Sequence, residues 1–144
     1  MFSIGNIKPL NSIVGNSIPI NEINIATCCE LVLIEIKIPS VRQVIIEMTS
    51  KRLGATAVLN DQGTVTGVIT DGDLRRMLEK EESPANLTGK DIMSPDPRTI
   101  QKDELAVDAL EMMRNNSITQ VIVMENEKYI GMIHLHDLIK EGLL

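Results

Sequence analysis

The sequence predicts an α+β fold of the α/β-sandwich kind, made of two copies of one small unit related by a pseudo-two-fold axis. Three observations carry this prediction. Sliding the chain by 64 positions lays "VRQVIIEMTSKRLGATAVLNDQGTVTGVITDGDLRRML" (41–78) over "LAVDALEMMRNNSITQVIVMENEKYIGMIHLHDLIKEG" (105–142) without a gap. Glu47 then meets Glu111, Gly67 meets Gly131, Ile69 meets Ile133, and Asp73 meets Asp137. Within each copy the apolar period switches from helical to extended and back. The composition, 43% hydrophobic and 24% charged over 144 residues, is that of a chain able to bury a core.

Each unit reads in order as helix, strand, strand, helix. Val41, Val44, Ile45 and Met48 recur at helical spacing, as do Leu105, Ala109, Leu110 and Met113. Ser40 and Asp103 stand where an N-cap would satisfy the free amides of a first turn. "ATAVLN" and "TQVIVM" read as buried strands, "NDQG" and "ENEK" as turns, and "VTGVIT" and "YIGMIH" as return strands, one hairpin per unit. "DLRRMLEKE" and "HDLIKEGLL" close the units as short amphipathic helices. "SPANLTGKDIMSPDPRTI" between them carries three prolines and a glycine, a linker with one short helical turn. The resulting division is 1–38 as a divergent N-terminal segment or linker, 39–83 as the first repeat, and 84–144 as linker and second repeat. A unit of about 50 residues rarely buries enough apolar area alone, so two should pack together and leave clefts between them.

Composition removes several function classes. The net charge of −6 speaks against nucleic acid as partner, and Phe2 and Tyr129 are the only aromatics available for stacking on bases. No signal peptide is readable in "MFSIGNIKPL", and no uncharged run is long enough to span a bilayer, so a cytoplasmic protein without membrane contact is expected. Cys28 and Cys29 are neighbours and offer no disulfide framework.

The chemistry concentrates in "TDGD" (70–73) and its counterpart "HLHD" (134–137). With Asp73 opening a helix, free amides at the helix start favour an anionic group. Thr70 adds a hydroxyl donor, and Asp73 can accept from sugar hydroxyls. Gly72 lets the backbone bend, and Arg75 and Arg76 could neutralise a phosphate. The bland alternative is that Asp73 merely caps its helix. A calcium loop starting at Asp71 fails, because Arg75 and Arg76 stand where an oxygen ligand and a glycine are needed. A sugar-nucleotide transferase needs a larger domain, and an aspartyl phosphotransferase needs its nucleophile at the strand end. In the second unit His134 and His136 are the only histidines, too few for a metal site. One imidazole facing the cleft could bind phosphate or carboxylate in a pH-dependent way; a helix-start His exposed to water is the alternative.

A strand ending in Gly-h-h-Thr, followed by two residues and an Asp opening a helix, resembles the cystathionine-β-synthase (CBS) domain, which occurs in tandem pairs. "GVITDGDLRR", "DIMSPDP", "ALEMMRNNSITQVIV" and "GMIHLHDLIKEGLL" are similar to the C-terminal half of KpsF/GutQ-type arabinose-5-phosphate isomerases, over about Pro39 to Leu144. The resemblance implies a regulatory and oligomerising module without catalytic residues or a required cofactor. Its implied ligand is CMP-Kdo or an adenosine nucleotide. It implies ligand contacts at Thr70 and Asp73, and at the backbone around Ala55, Thr56, Ile118 and Thr119; His134 and Asp137 are their counterparts in the second repeat. It also implies homodimers or higher homo-oligomers. The family's catalytic sugar-isomerase (SIS) domain has no counterpart in the chain. Residues 1–38 depart from the family: at the 64-residue offset "TCC" (27–29) replaces "DIM", and "LVLIEIKI" (31–38) stands where a Pro-bearing turn and strand belong. A divergent segment left by truncation or a frame change is the expectation there.

Overall fold

The computed structural model describes residues 18–23, 40–51, 54–80 and 83–143. "TCC" and residues 31–38 lie outside the described residues. The chain forms two compact units. One joins residues 40–97 with Glu127–Tyr129; the other joins residues 18–23 with 98–126 and 130–143.

In the first unit helix α1 (Val41–Lys51) opens on a capping box. Gln43 N donates to Ser40 Oγ at 3.3 Å, and Ser40 N donates back to Gln43 Oε1 at 2.9 Å. The helix ends before Gly54, whose φ of 66° makes the turn a glycine position. Strand β1 (Ala55–Leu59) is buried along its whole length, as its unbroken run of small and apolar residues requires. Strand β2 (Val65–Thr70) pairs with it antiparallel and buries Gly67 and Ile69 at alternate positions. Val44, Met48, Val58 and Ile69 form the core, with Leu74, Ile92 and Met93 packed on it.

The linker holds more structure than its prolines suggest. A 3-10 turn (Pro84–Asn86) packs on α1, and helix α3 (Gly89–Ile92) follows. Strand β3 (Ser94–Pro95) then adds to the free edge of β2, with Gly67 opposite Pro95 and Val68 opposite Ser94. Gly67 is required by this approach: a Cβ there would stand 2.6 Å from Met93 Sδ and 2.9 Å from Ser94 O.

In the second unit β4 (Thr99–Gln101), helix α4 (Ala106–Asn116) and β5 (Gln120–Glu125) form a parallel β-α-β crossover. Strand β6 (Lys128–His134) and helix α5 (Leu135–Lys140) complete it, in sheet order β4-β5-β6. The α5 helix ends short of the expected "EGLL", because Gly142 at φ 81° turns the chain. Asp103 is not the cap of α4. Leu105 holds that position without a side-chain bond, and Ala106 N donates instead to Ile18 O at 2.8 Å. Residues 18–23 belong to this unit: Ile20 N donates to Glu104 O, Asn21 N to Lys102 O, and Ile20 and Ile23 are buried in its core.

The repeat is real, but its offset is not constant. Helices α1 and α4 start at 41 and 106, an offset of 65, and Val41, Val44 and Met48 match the buried Ala106, Ala109 and Met113. Strands β2 and β6 end at 70 and 134, an offset of 64. The difference arises in the hairpins. Residues 60–64 connect β1 to β2 around Asn60 Oδ1 and Gly63, whereas Asn126 and Glu127 alone connect β5 to β6, Asn126 taking φ 55°. The identity of Glu47 with Glu111 is therefore not a structural correspondence.

Candidate functional site

Each repeat presents one corner where its last strand turns into its last helix. Helix α2 (Asp71–Glu79) begins at Asp71, two residues earlier than the sequence pattern suggests, with Thr70 as N-cap and Asp73 as its third residue. The spacing T-x-x-D makes this a capping box: Asp73 N donates to Thr70 Oγ1 at 3.3 Å, and Thr70 N donates to Asp73 Oδ2 at 2.8 Å. Thr70 Oγ1 lies 3.1 Å from the same Oδ2. Asp73 is one of two buried polar residues among those described, and its other oxygen is also taken. Oδ1 accepts from Arg76 Nη2 and, at 2.9 Å, from Ser94 Oγ of β3. The carboxylate is thus satisfied by four donors of the protein itself.

Several expected roles change with this geometry. Arg76 is committed to Asp73, while Arg75 remains exposed. Gly72 lies within the first turn of α2 and is not among the positive-φ residues. It leaves space beside Thr70 Oγ1, 3.4 Å from where a Cβ would stand, and makes no sharp bend. Ala55 stands opposite Thr70 in the ladder and Thr56 opposite Ile69; both are buried, so Ala55 offers a ligand only its backbone. Asp71 N donates to Gly54 O at 3.0 Å, closing the corner.

The second corner repeats the design with different atoms. Leu135 N donates to Thr119 O at 2.8 Å, the counterpart of the Asp71–Gly54 bond. His134 N donates to Asp137 Oδ2 at 2.8 Å, and His136 N donates to His134 Nδ1 at 3.0 Å. The two imidazoles stack with centroids 4.7 Å apart. Partial burial, with His136 beside it, pushes the His134 pKa down, and Asp137 opposes this. Ile118 packs against the core, so its side chain is structural. Among the described residues no group of three or more His, Cys, Asp or Glu is placed to hold a metal ion. No described helix is long and apolar enough to cross a membrane.

A third box of the same form lies in the linker. Thr88 N and Oγ1 donate to Asp91 Oδ2 at 2.8 and 2.7 Å, and these bonds hold the Asp91 carboxyl below its usual pKa. Ser94 is the functional neighbour that sequence reasoning missed. Its signal, a hydroxyl residue directly before a proline in "IMSP", shows its importance only once β3 is seen beside β2.

The chain matches the CBS domain twice, over residues 29–80 and 90–143, and it belongs to the CBS-domain family. It is 35% identical over 108 residues to the arabinose 5-phosphate isomerase KdsD of Escherichia coli K12, covering 75% of this chain and 33% of that protein. The chain therefore spans about a third of the length of the curated relatives it matches. In fold it is similar to CBSX2 in complex with AMP (TM-score 0.68, 18% identity, 88% of this chain and 96% of that one). It is likewise similar to the CBS domain of a bacterial CNNM/CorC-family Mg2+ transporter in complex with ATP (TM-score 0.68, 21% identity, 88% of each chain). The chain is a CBS-domain pair.

Proposed function

We propose that this CBS pair is the regulatory module of a sugar-phosphate isomerase that interconverts arabinose 5-phosphate and ribulose 5-phosphate in the cytoplasm. It senses a nucleotide or nucleotide-sugar and helps assemble subunits into a homodimer or larger homo-oligomer. The catalytic SIS domain belongs to the parent enzyme, and this pair alone turns over no arabinose 5-phosphate. The observation that carries the sensing reading is the capped strand-to-helix corner, present in both repeats with an Asp at the third helical position. The AMP and ATP held by two proteins of the same fold support an adenosine nucleotide. The resemblance to arabinose 5-phosphate isomerases, which implies a place in Kdo synthesis, is the ground for proposing CMP-Kdo beside it. Thr70, Asp73, His134 and Asp137 are the side chains proposed to meet the ligand, with the backbone at Ala55, Thr56, Ile118 and Thr119 beside them.

Titration of the chain with AMP, ATP and CMP-Kdo tests this. A ligand that binds only the folded state at a hundredfold excess over its Kd stabilises by about 2.7 kcal/mol, a readily measured rise in melting temperature. Asp137→Asn should reduce that rise. Unchanged melting with all three ligands sinks the sensing reading. The full occupancy of Asp73 by protein donors favours a second reading, in which the pair only assembles subunits and the boxes are purely structural.

A further inference from the structure

We propose that Ser94 is a latch that competes with the ligand for Asp73, so that ligand binding at the first corner releases strand β3. The inference rests on the sensing reading above and adds a regulatory consequence to it. A carboxylate offers about four acceptor positions. At Asp73 these are filled by Thr70 N, Thr70 Oγ1, Arg76 Nη2 and Ser94 Oγ. A ligand hydroxyl can reach Asp73 only by displacing one of them. The Thr70 bonds close the capping box and hold the helix start. The Arg76 bond is an ion pair, with charge on donor and acceptor alike. The Ser94 bond to the same carboxylate, at 2.9 Å, has an uncharged donor, and it comes from a strand of two residues, one of which is a proline with no N–H to give the ladder. Ser94 is therefore the donor that yields most readily. Its loss uncouples β3 from the corner at the start of the segment that leads on to the second repeat.

Ser94→Ala removes the competitor. Calorimetric titration of the wild-type chain and this variant with AMP, ATP and CMP-Kdo should show about three- to tenfold tighter binding by the variant for the ligand that binds. Ser94→Thr, which restores the hydroxyl, should return the affinity to the wild-type value. Hydrogen exchange supplies a readout in the unmutated protein: saturating ligand should speed exchange of the Val68, Ser94 and Asp96 amides, as Ser94→Ala does without ligand. Equal or weaker binding by Ser94→Ala, or exchange at these amides that ligand leaves unchanged, overturns the latch while the sensing reading stands. Absence of binding by both proteins overturns both.

Discussion

His134 holds in the second repeat the place of Thr70 in the first, and an imidazole there does what a hydroxyl cannot. Both accept a helix-start amide, Thr70 Oγ1 from Asp73 N and His134 Nδ1 from His136 N. A protonated imidazole has no acceptor left, so titration breaks this cap. His136 stacked above it disfavours its charge, and Asp137 favours it; Asp108, Glu111 and Arg114 are the charged residues of α4, the helix packed against α5. Burial dominates and lowers the folded pKa below the unfolded value of about 6.5. The sign follows from linkage. As pH falls through about 6.5 the unfolded chain takes up the proton first, so the His134 contribution is present above that pH and is lost down to the folded pKa. His134→Asn keeps an N-cap acceptor that does not titrate. Melting temperatures measured from about pH 7.5 to about pH 5 should fall further for the wild type than for this variant. Parallel curves would show that the His134 cap does not carry the acid sensitivity.

At the scale of elements, local chemistry was legible in the sequence wherever a local interaction decides the outcome. "VTGVIT" is β2 residue for residue, because its alternation matches a half-buried strand. The T-x-x-D spacing was also visible, and it is the capping box that moves the start of α2 from Asp73 back to Asp71. Strands β3 and β4 were not legible. They are two and three residues long, and their partners lie 26 or 28 and 23 residues away in sequence, so no periodicity can announce them. The repeated pair Gly67 and Gly131 reads only as a repeat signature, whereas Gly67 is the floor on which Met93 and Ser94 rest. Gly67→Ala tests this. Met93 can turn aside, but the Ser94 carbonyl is backbone, so β3 must shift at a cost of about 1–3 kcal/mol in urea denaturation. Gly72→Ala is the contrast: its Cβ meets nothing closer than 3.4 Å within a helix, and Ala is there the better helix former by about 1 kcal/mol. Equal losses from the two substitutions would contradict this account of β3.

At the scale of the whole molecule, the first helix of each repeat is met by a segment distant from that helix in sequence. The lead-in that pairs with α1 of the first repeat is the linker: Val41 N donates to Leu87 O, and Ser40 bridges Thr88. The lead-in that pairs with α4 of the second repeat is the N-terminal segment: Ala106 N donates to Ile18 O, and Leu105 bridges Pro19. Residues 18–23 and 87–92 thus play one role, which the sequence does not announce because the pairing uses backbone groups rather than a motif. A substitution near the N-terminus should therefore be felt in the C-terminal repeat. Ile20 is fully buried in a core with Ile100, Ala106, Ala109, Val121 and Val123. Ile20→Ala leaves a cavity there, with an expected cost of about 2–5 kcal/mol. Native-state hydrogen exchange would show where the cost falls. Amides of α4 and β5 should lose protection, while those of α1 and β1, which start 65 residues closer to Ile20 in sequence, should keep theirs. Loss of protection in α1 and β1 instead would show that the N-terminal segment serves the repeat that follows it in sequence, and the crossed pairing of lead-ins would be wrong.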